Sequence, residues 1–81
     1  MTEENLKKYF EIYTDCWKLF HKYSEPNNRD EFWHSLINES NNLYKKHGEI
    51  DFSKNMLLET ISEIERIFKR QKLACKSYIR D

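Results

Sequence analysis

Gly48 and Pro26 are the only glycine and the only proline in 81 residues. They divide the chain into stretches 1–25, 27–47 and 49–81, each free of the two residues that cost a helix most. A β chain of this length would need a series of turn clusters, and the sequence has no such series. The chain is therefore expected to be all-α: a single helical domain over 1–81, with helices at about 3–24, 29–47 and 54–79, the third longest. Short links between long helices favour a three-helix antiparallel (up-down-up) bundle.

The first helix carries the most regular pattern. Leu6, Tyr13 and Phe20 are seven apart, as are Tyr9, Cys16 and Tyr23, Phe10 and Trp17, and Ile12 and Leu19. Lys7, Lys8, Glu11, Thr14, Asp15, Lys18, His21 and Lys22 fill the remaining positions. At 100° per residue the apolar arc spans about 160°, wide enough to pack against two neighbours at once. Most of that arc is expected to be buried. Thr2 suits the N-cap, and Glu3 and Glu4 face the positive end of the helix dipole.

Pro26 ends this helix by restricting Glu25 and removing a donor. Asn28 and Glu31 form a capping-box-like pair at the start of the second helix. Phe32, Trp33, Leu36, Ile37, Leu43 and Tyr44 make its stripe, interrupted by Ser40; Lys45, Lys46 and His47 fill its last turn, and Gly48 supplies the left-handed residue beyond it. In the connector, Ile50 and Phe52 are expected to plug one end of the core, with Asp51 or Ser53 capping the third helix. Leu57, Ile61, Ile64 and Phe68 form that helix's seam, widened by Met56, Leu58 and Ile67. After Phe68 the seam thins through Gln71, Cys75 and Tyr78, so the helix is expected to outrun the other two.

Several function classes are excluded early. No apolar run reaches the roughly 18 residues of a membrane span, and no signal-like segment opens the chain, so a cytoplasmic protein is expected. Cys16 and Cys75 are too few for a disulfide scaffold and read as small buried hydrophobes. His21, His34 and His47 make no metal half-site with either cysteine, and no glycine-rich loop exists to hold a phosphate. Cys16 and His21 lie on different faces of one helix, and Glu59 with Glu63 is an ordinary solvated pair. No enzyme and no cofactor are expected.

Charge is balanced overall, 14 basic against 14 acidic residues, but not locally. Residues 66–81 hold Arg66, Lys69, Arg70, Lys72, Lys76 and Arg80 against Asp81, a net of +5, and residues 1–65 carry a net of −5. One reading is that cations gather near a helix C-terminus, with Glu65 pairing to Lys69. The other is a partner-binding strip on which apolar Leu73, Tyr78 and Ile79 sit among those six cations. It would suit an acidic protein surface, a second copy of the chain or, as a second choice, nucleic acid. A helix-turn-helix fits less well, since recognition helices read bases from their N-terminal part. The twelve aromatic residues also have two readings: a core of large pieces, or an exposed Tyr and Trp patch that anchors an interface or a homodimer.

Residues 13–20 (YTDCWKLF), 30–33 (DEFW), 43–47 (LYKKH) and 57–66 (LLETISEIER) together resemble short uncharacterised helical proteins of phages and integrative elements of low-GC Gram-positive bacteria. The resemblance runs over about residues 6 to 70 and carries no catalytic signature. It implies a small accessory protein that binds and inhibits host machinery, CRISPR effectors included. The expected function is thus a non-enzymatic protein-binding module, an inhibitor or adaptor. A nucleic-acid-binding regulator and a homo-oligomeric structural protein are the alternatives.

Overall fold

The computed structural model describes the backbone of residues 1–80 and the side chains of residues 1–72. Three helices follow one another, α1 (Glu3–Lys22), α2 (Asp30–Lys46) and α3 (Asp51–Arg80), with no strand among the described residues. At 30 residues α3 is the longest, against 20 and 17. Among the described residues no helix is long and apolar enough to cross a membrane.

Side-chain pairs give the direction of each helix. Lys22 meets Glu39 while Asp15 meets Lys46 and His47, so α1 and α2 run antiparallel. Tyr9 and Tyr13 pack on Phe52, and further along Phe20 shares a groove with Glu63, so α1 and α3 run the same way. Trp33 packs on Phe68 and Tyr44 lies beside Leu57, which sets α2 against α3. The bundle is up-down-up, as the link lengths predict.

Ile12, Cys16, Leu19 and Tyr23 supply the core from the α1 side, Leu36 from α2, and Leu57 and Ile64 from α3. These positions repeat by three and four, the spacing that keeps side chains on one helical face. Phe32, Trp33, Leu43, Tyr44, Phe52, Met56 and Ile61 close over them, half-buried. Ser40, which interrupts the α2 stripe, is buried and donates its hydroxyl to the Leu36 carbonyl at 2.8 Å. The bond back along the helix satisfies a polar group that burial would otherwise penalise.

Helix ends follow the expectation at α1 and depart from it elsewhere. The Thr2 hydroxyl accepts from the Asn5 N–H at 3.3 Å. At α2 the cap is Arg29, without a side-chain bond, not Asn28. Asn27 does the turning instead: its side-chain oxygen accepts from the Arg29 N–H at 2.9 Å, an Asx turn two residues long. Its carbonyl also accepts from the Trp33 indole at 2.9 Å. α3 begins at Asp51, three residues earlier than expected, because the Ile50 carbonyl already accepts from the Lys54 N–H at 3.1 Å. Ser53 is therefore inside the helix, fully buried, with its hydroxyl on that same carbonyl at 2.8 Å. Phe52 plugs the end of the core, but Ile50 remains 41% exposed.

The α2 terminus is a Schellman motif. Gly48 sits at φ 76°, and its N–H reaches the Lys45 carbonyl at 3.1 Å while the Glu49 N–H reaches Tyr44 at 3.0 Å. Left-handed backbone continues into Glu49 at φ 57°, and the Tyr44 hydroxyl donates to the Glu49 carbonyl at 3.2 Å. A Cβ on Gly48 would meet nothing within 4 Å, so substitution there carries a purely conformational penalty. Gly48→Ala is expected to cost about 1 kcal/mol in chemical denaturation, with the helical signal unchanged. A cost near zero would mean the turn relaxes out of the left-handed region.

Candidate protein-contact face

The wide arc of α1 resolves into two interleaved seams. One, Ile12, Cys16, Leu19 and Tyr23, is the core seam. The other, Leu6, Phe10, Tyr13, Trp17 and Phe20, steps by four, three, four and three along the same helix. It points away from α2. Phe10 is 69% exposed, Trp17 61%, Leu6 56% and Tyr13 55%. The expectation that α1 buries most of its apolar arc is thereby overturned. Both neighbours pack chiefly on the Ile12–Leu19 side, and α3 reaches the second seam only at its edge, through Tyr13 and Phe20, so Leu6, Phe10 and Trp17 stay open. Ile37 and Leu58, also assigned to packing stripes, are exposed as well.

The second seam is ordered by its own contacts. Phe52 of α3 meets Tyr9 and Tyr13 edge-on, with ring centroids 5.1 and 5.5 Å away. Trp17 lies 6.3 Å from Phe20 and 5.9 Å from the His21 ring. Between α1 and α3 a shallow groove of about 360 Å³ is lined by Tyr13, Trp17, Phe20, Met56, Glu59 and Glu63. Cys16 forms part of its floor, and burial pushes that thiol above the ordinary thiol range despite an opposing bond with Thr60. A thiol held protonated is a packing group, as the sequence suggests, and a poor nucleophile.

The basic strip is placed less simply. Arg66 bonds Glu59 and also Glu63, the latter at 2.6 Å, and Arg70 bonds Glu63 at 3.1 Å. These pairs span three and seven residues and replace the expected Glu65–Lys69 pair. Glu63 is held below its ordinary range by the Arg66 bond first and by Arg70 less strongly. Lys72 lies over the Phe68 ring at 4.5 Å, and Lys69 is exposed. Two of the six cations are thus committed to carboxylates of their own helix, which weakens the strip as a phosphate contact. The side chains of Leu73, Cys75, Lys76, Tyr78, Ile79 and Arg80 lie outside the described residues.

Asp15 ties the α2 terminus to the middle of α1. Its Oδ2 contacts Lys46 Nζ at 2.9 Å and His47 Nε2 at 2.8 Å, with both Asp15 and His47 largely buried. Burial pushes the Asp15 carboxyl up, but the bonds to Lys46 and His47 outweigh it and hold it below its ordinary value. A carboxylate with a depressed folded-state pKa contributes stability above its unfolded value of about 3.8, and loses it as pH falls through the folded value. Asp15→Asn is therefore expected to cost about 1–2 kcal/mol at neutral pH, a difference that shrinks as the pH falls below the unfolded value of 3.8. Urea melts at pH 7 and pH 3 check this, and an equal cost at both would make the interaction one of shape alone.

Of the two readings of the aromatic residues, the exposed Tyr and Trp patch is the one that Tyr13 and Trp17 follow, while Trp33, Tyr44 and Phe32 follow the core reading. The signal of the exposed seam was there, since an arc of about 160° exceeds what one seam requires and contains two complete series of three and four. No family model, no curated protein and no solved structure matches the chain.

Proposed function

We propose that the protein acts by binding another protein through the aromatic seam of α1, as an inhibitor or adaptor without catalytic activity of its own. The exposed Leu6, Phe10, Tyr13 and Trp17 on one rigid helix carry this reading. Monomeric surfaces rarely keep large apolar side chains contiguous, and Trp and Tyr are the types that dominate binding hot spots. The resemblance to small proteins of phages and integrative elements supplies the context, in which the bound protein is host machinery such as a CRISPR effector.

The test is a photo-crosslinking amino acid placed at Tyr13, compared with one at exposed Lys45 on α2, in a low-GC Gram-positive host. Protein adducts are expected from position 13 and not from position 45, and Trp17→Lys should remove them. Equal yields at both positions, or none at either, would overturn the reading. A purified effector whose cleavage is suppressed by the protein but not by the Trp17→Lys variant would identify the target.

A further inference from the structure

We infer that one flank of distal α3, carrying Lys69, Lys72, Lys76 and Arg80, is a contact for the phosphate backbone of duplex DNA. This surface is independent of the aromatic seam of α1 and goes beyond the protein-binding reading. Residues 66–80 contain six cations and no acidic residue. Arg66 and Arg70 are engaged by Glu59 and Glu63 of the same helix. The other four cations step by three, four and four along α3, which runs to Arg80. At 100° per residue they fall within a sector about 80° wide, and no other residue of 66–80 shares it. Upstream the same sector holds Lys54, Leu58 and Glu65, all exposed, with half-buried Ser62 at its edge; Lys69 and Lys72 are exposed as well. The flank is open, and beyond Glu65 it is cationic throughout.

The usual reasons for cations on a helix do not account for these four. Attraction to the helix dipole covers Arg80, but it fades within the last turn, and Lys69 lies about three turns earlier. Among acidic residues, only Glu65 stands three or four places from any of the four. Successive members of the stripe are instead like-charged neighbours at three- and four-residue spacing, which opposes the helix until an anion neutralises them. The stripe also lies past the main packing of the bundle. Trp33 packs on Phe68 at 5.5 Å, close to the start of α2 at Asp30, and residues 69–80 carry α3 about 18 Å beyond that contact.

A sector of one sign suits a polyanion of one sign. Protein interfaces are apolar at the centre, and no apolar residue interrupts these four cations. Single strands are held by bases stacked on aromatic rings, whereas helical spacing places Tyr78 on the opposite side of α3. Duplex RNA is recognised partly through its 2′-hydroxyls, and the stripe has no hydroxyl, amide or carboxylate to accept from one. A DNA backbone asks only for cations. From Lys69 to Arg80 the stripe covers about 16 Å, or about five base pairs at about 3.4 Å each. Such contacts hold the duplex without reading its sequence.

Fluorescence anisotropy of a labelled DNA duplex of about 20 base pairs, titrated with the full chain, tests the proposal. Four neutralised phosphates give a slope of log K against log salt of about −3 to −4, so affinity should fall about 100-fold between about 50 and 200 mM salt. Lys72→Gln and Lys76→Gln should each make that slope shallower by about 1, equally on unrelated sequences. Arg70→Gln should leave it unchanged, because Arg70 is already bonded to Glu63. Circular dichroism melts of each variant should match the wild type. No binding at about 20 mM salt, or a slope indifferent to both lysine variants, overturns the contact. Equal or tighter binding of the single strand or of an RNA duplex overturns duplex DNA as the occupant, and binding to polyglutamate alone overturns nucleic acid altogether. Lys72→Gln and Lys76→Gln should leave the Tyr13 adducts intact, so failure of this contact is distinguishable from failure of the α1 reading.

Discussion

Leu36→Ala and Ile64→Ala are each expected to lower stability by about 2–5 kcal/mol, the range for large-to-small changes at buried aliphatic positions. Both side chains are completely inaccessible. They reach the centre of the bundle from opposite partners, Leu36 on α2 and Ile64 on α3, and each leaves a cavity that three helices cannot easily close. A chain of this size typically has only about 4–12 kcal/mol in total. Either variant should therefore melt at least about 8 °C lower, at about 4–8 °C per kcal/mol, and the double variant is expected to be largely unfolded at 37 °C. Thermal melts followed at 222 nm give the answer. A loss below about 1 kcal/mol for either residue would mean that the helices repack and that the core is not centred where the burial places it.

What the sequence makes legible follows from which interactions are local. Helix count, direction and the Gly48 turn depend on nearby residues: a proline that removes a donor, a glycine that tolerates positive φ, a run of apolar positions at threes and fours. Those features were readable. The misplaced caps are local too, but they turn on competition between near-equals. Asn27 and Asn28 offer the same side chain, and the Trp33 indole, which takes the Asn27 carbonyl, helps select the turn. Ser53 likewise resembles an N-cap until its hydroxyl is seen to bond the Ile50 carbonyl from inside the helix.

Long-range choices were not readable. Nothing in the spacing of α1 says which of its two seams faces inward. The core seam contains Cys16, the smallest of its side chains, and Thr60 of α3 lies within bonding reach of that sulfur. A small residue opposite a crossing helix allows the backbones to approach, whereas the aromatic seam has no such gap. The Asp15 contact with Lys46 and His47 joins residues 31 and 32 apart, and its register exists only once α1 and α2 have paired. The charged ladder on α3 is local by contrast, and there near-equal partners compete. Arg66 pairs with Glu59 and Glu63, seven and three residues back on the same face, and Glu65–Lys69 is not among the pairs formed.

The two tryptophans separate these cases experimentally. Trp33→Ala is expected to cost about 2–4 kcal/mol, somewhat below the range for a fully buried aromatic ring because the side chain is only half-buried. Its ring packs edge-on against Phe32 at 4.9 Å and Phe68 at 5.5 Å, and its indole N–H holds the Asn27 carbonyl at the α1–α2 connection. Removing it loosens one end of all three helices together. Trp17→Ala should cost less than about 1 kcal/mol, since a ring exposed over 61% of its surface loses little contact and alanine gains helix propensity in its place. Sequence alone gives the two residues equal claims on the core, each within an apolar stripe at helical spacing. Urea denaturation of both variants, at a concentration where the chain is monomeric, measures the difference directly. Single-tryptophan proteins made by Trp17→Phe or Trp33→Phe add an independent reading: emission from Trp17 should be red-shifted and readily quenched by acrylamide, while Trp33 stays protected. Equal stability costs, or a Trp17 as protected from acrylamide as Trp33, would place Trp17 in the core and remove it from the contact face.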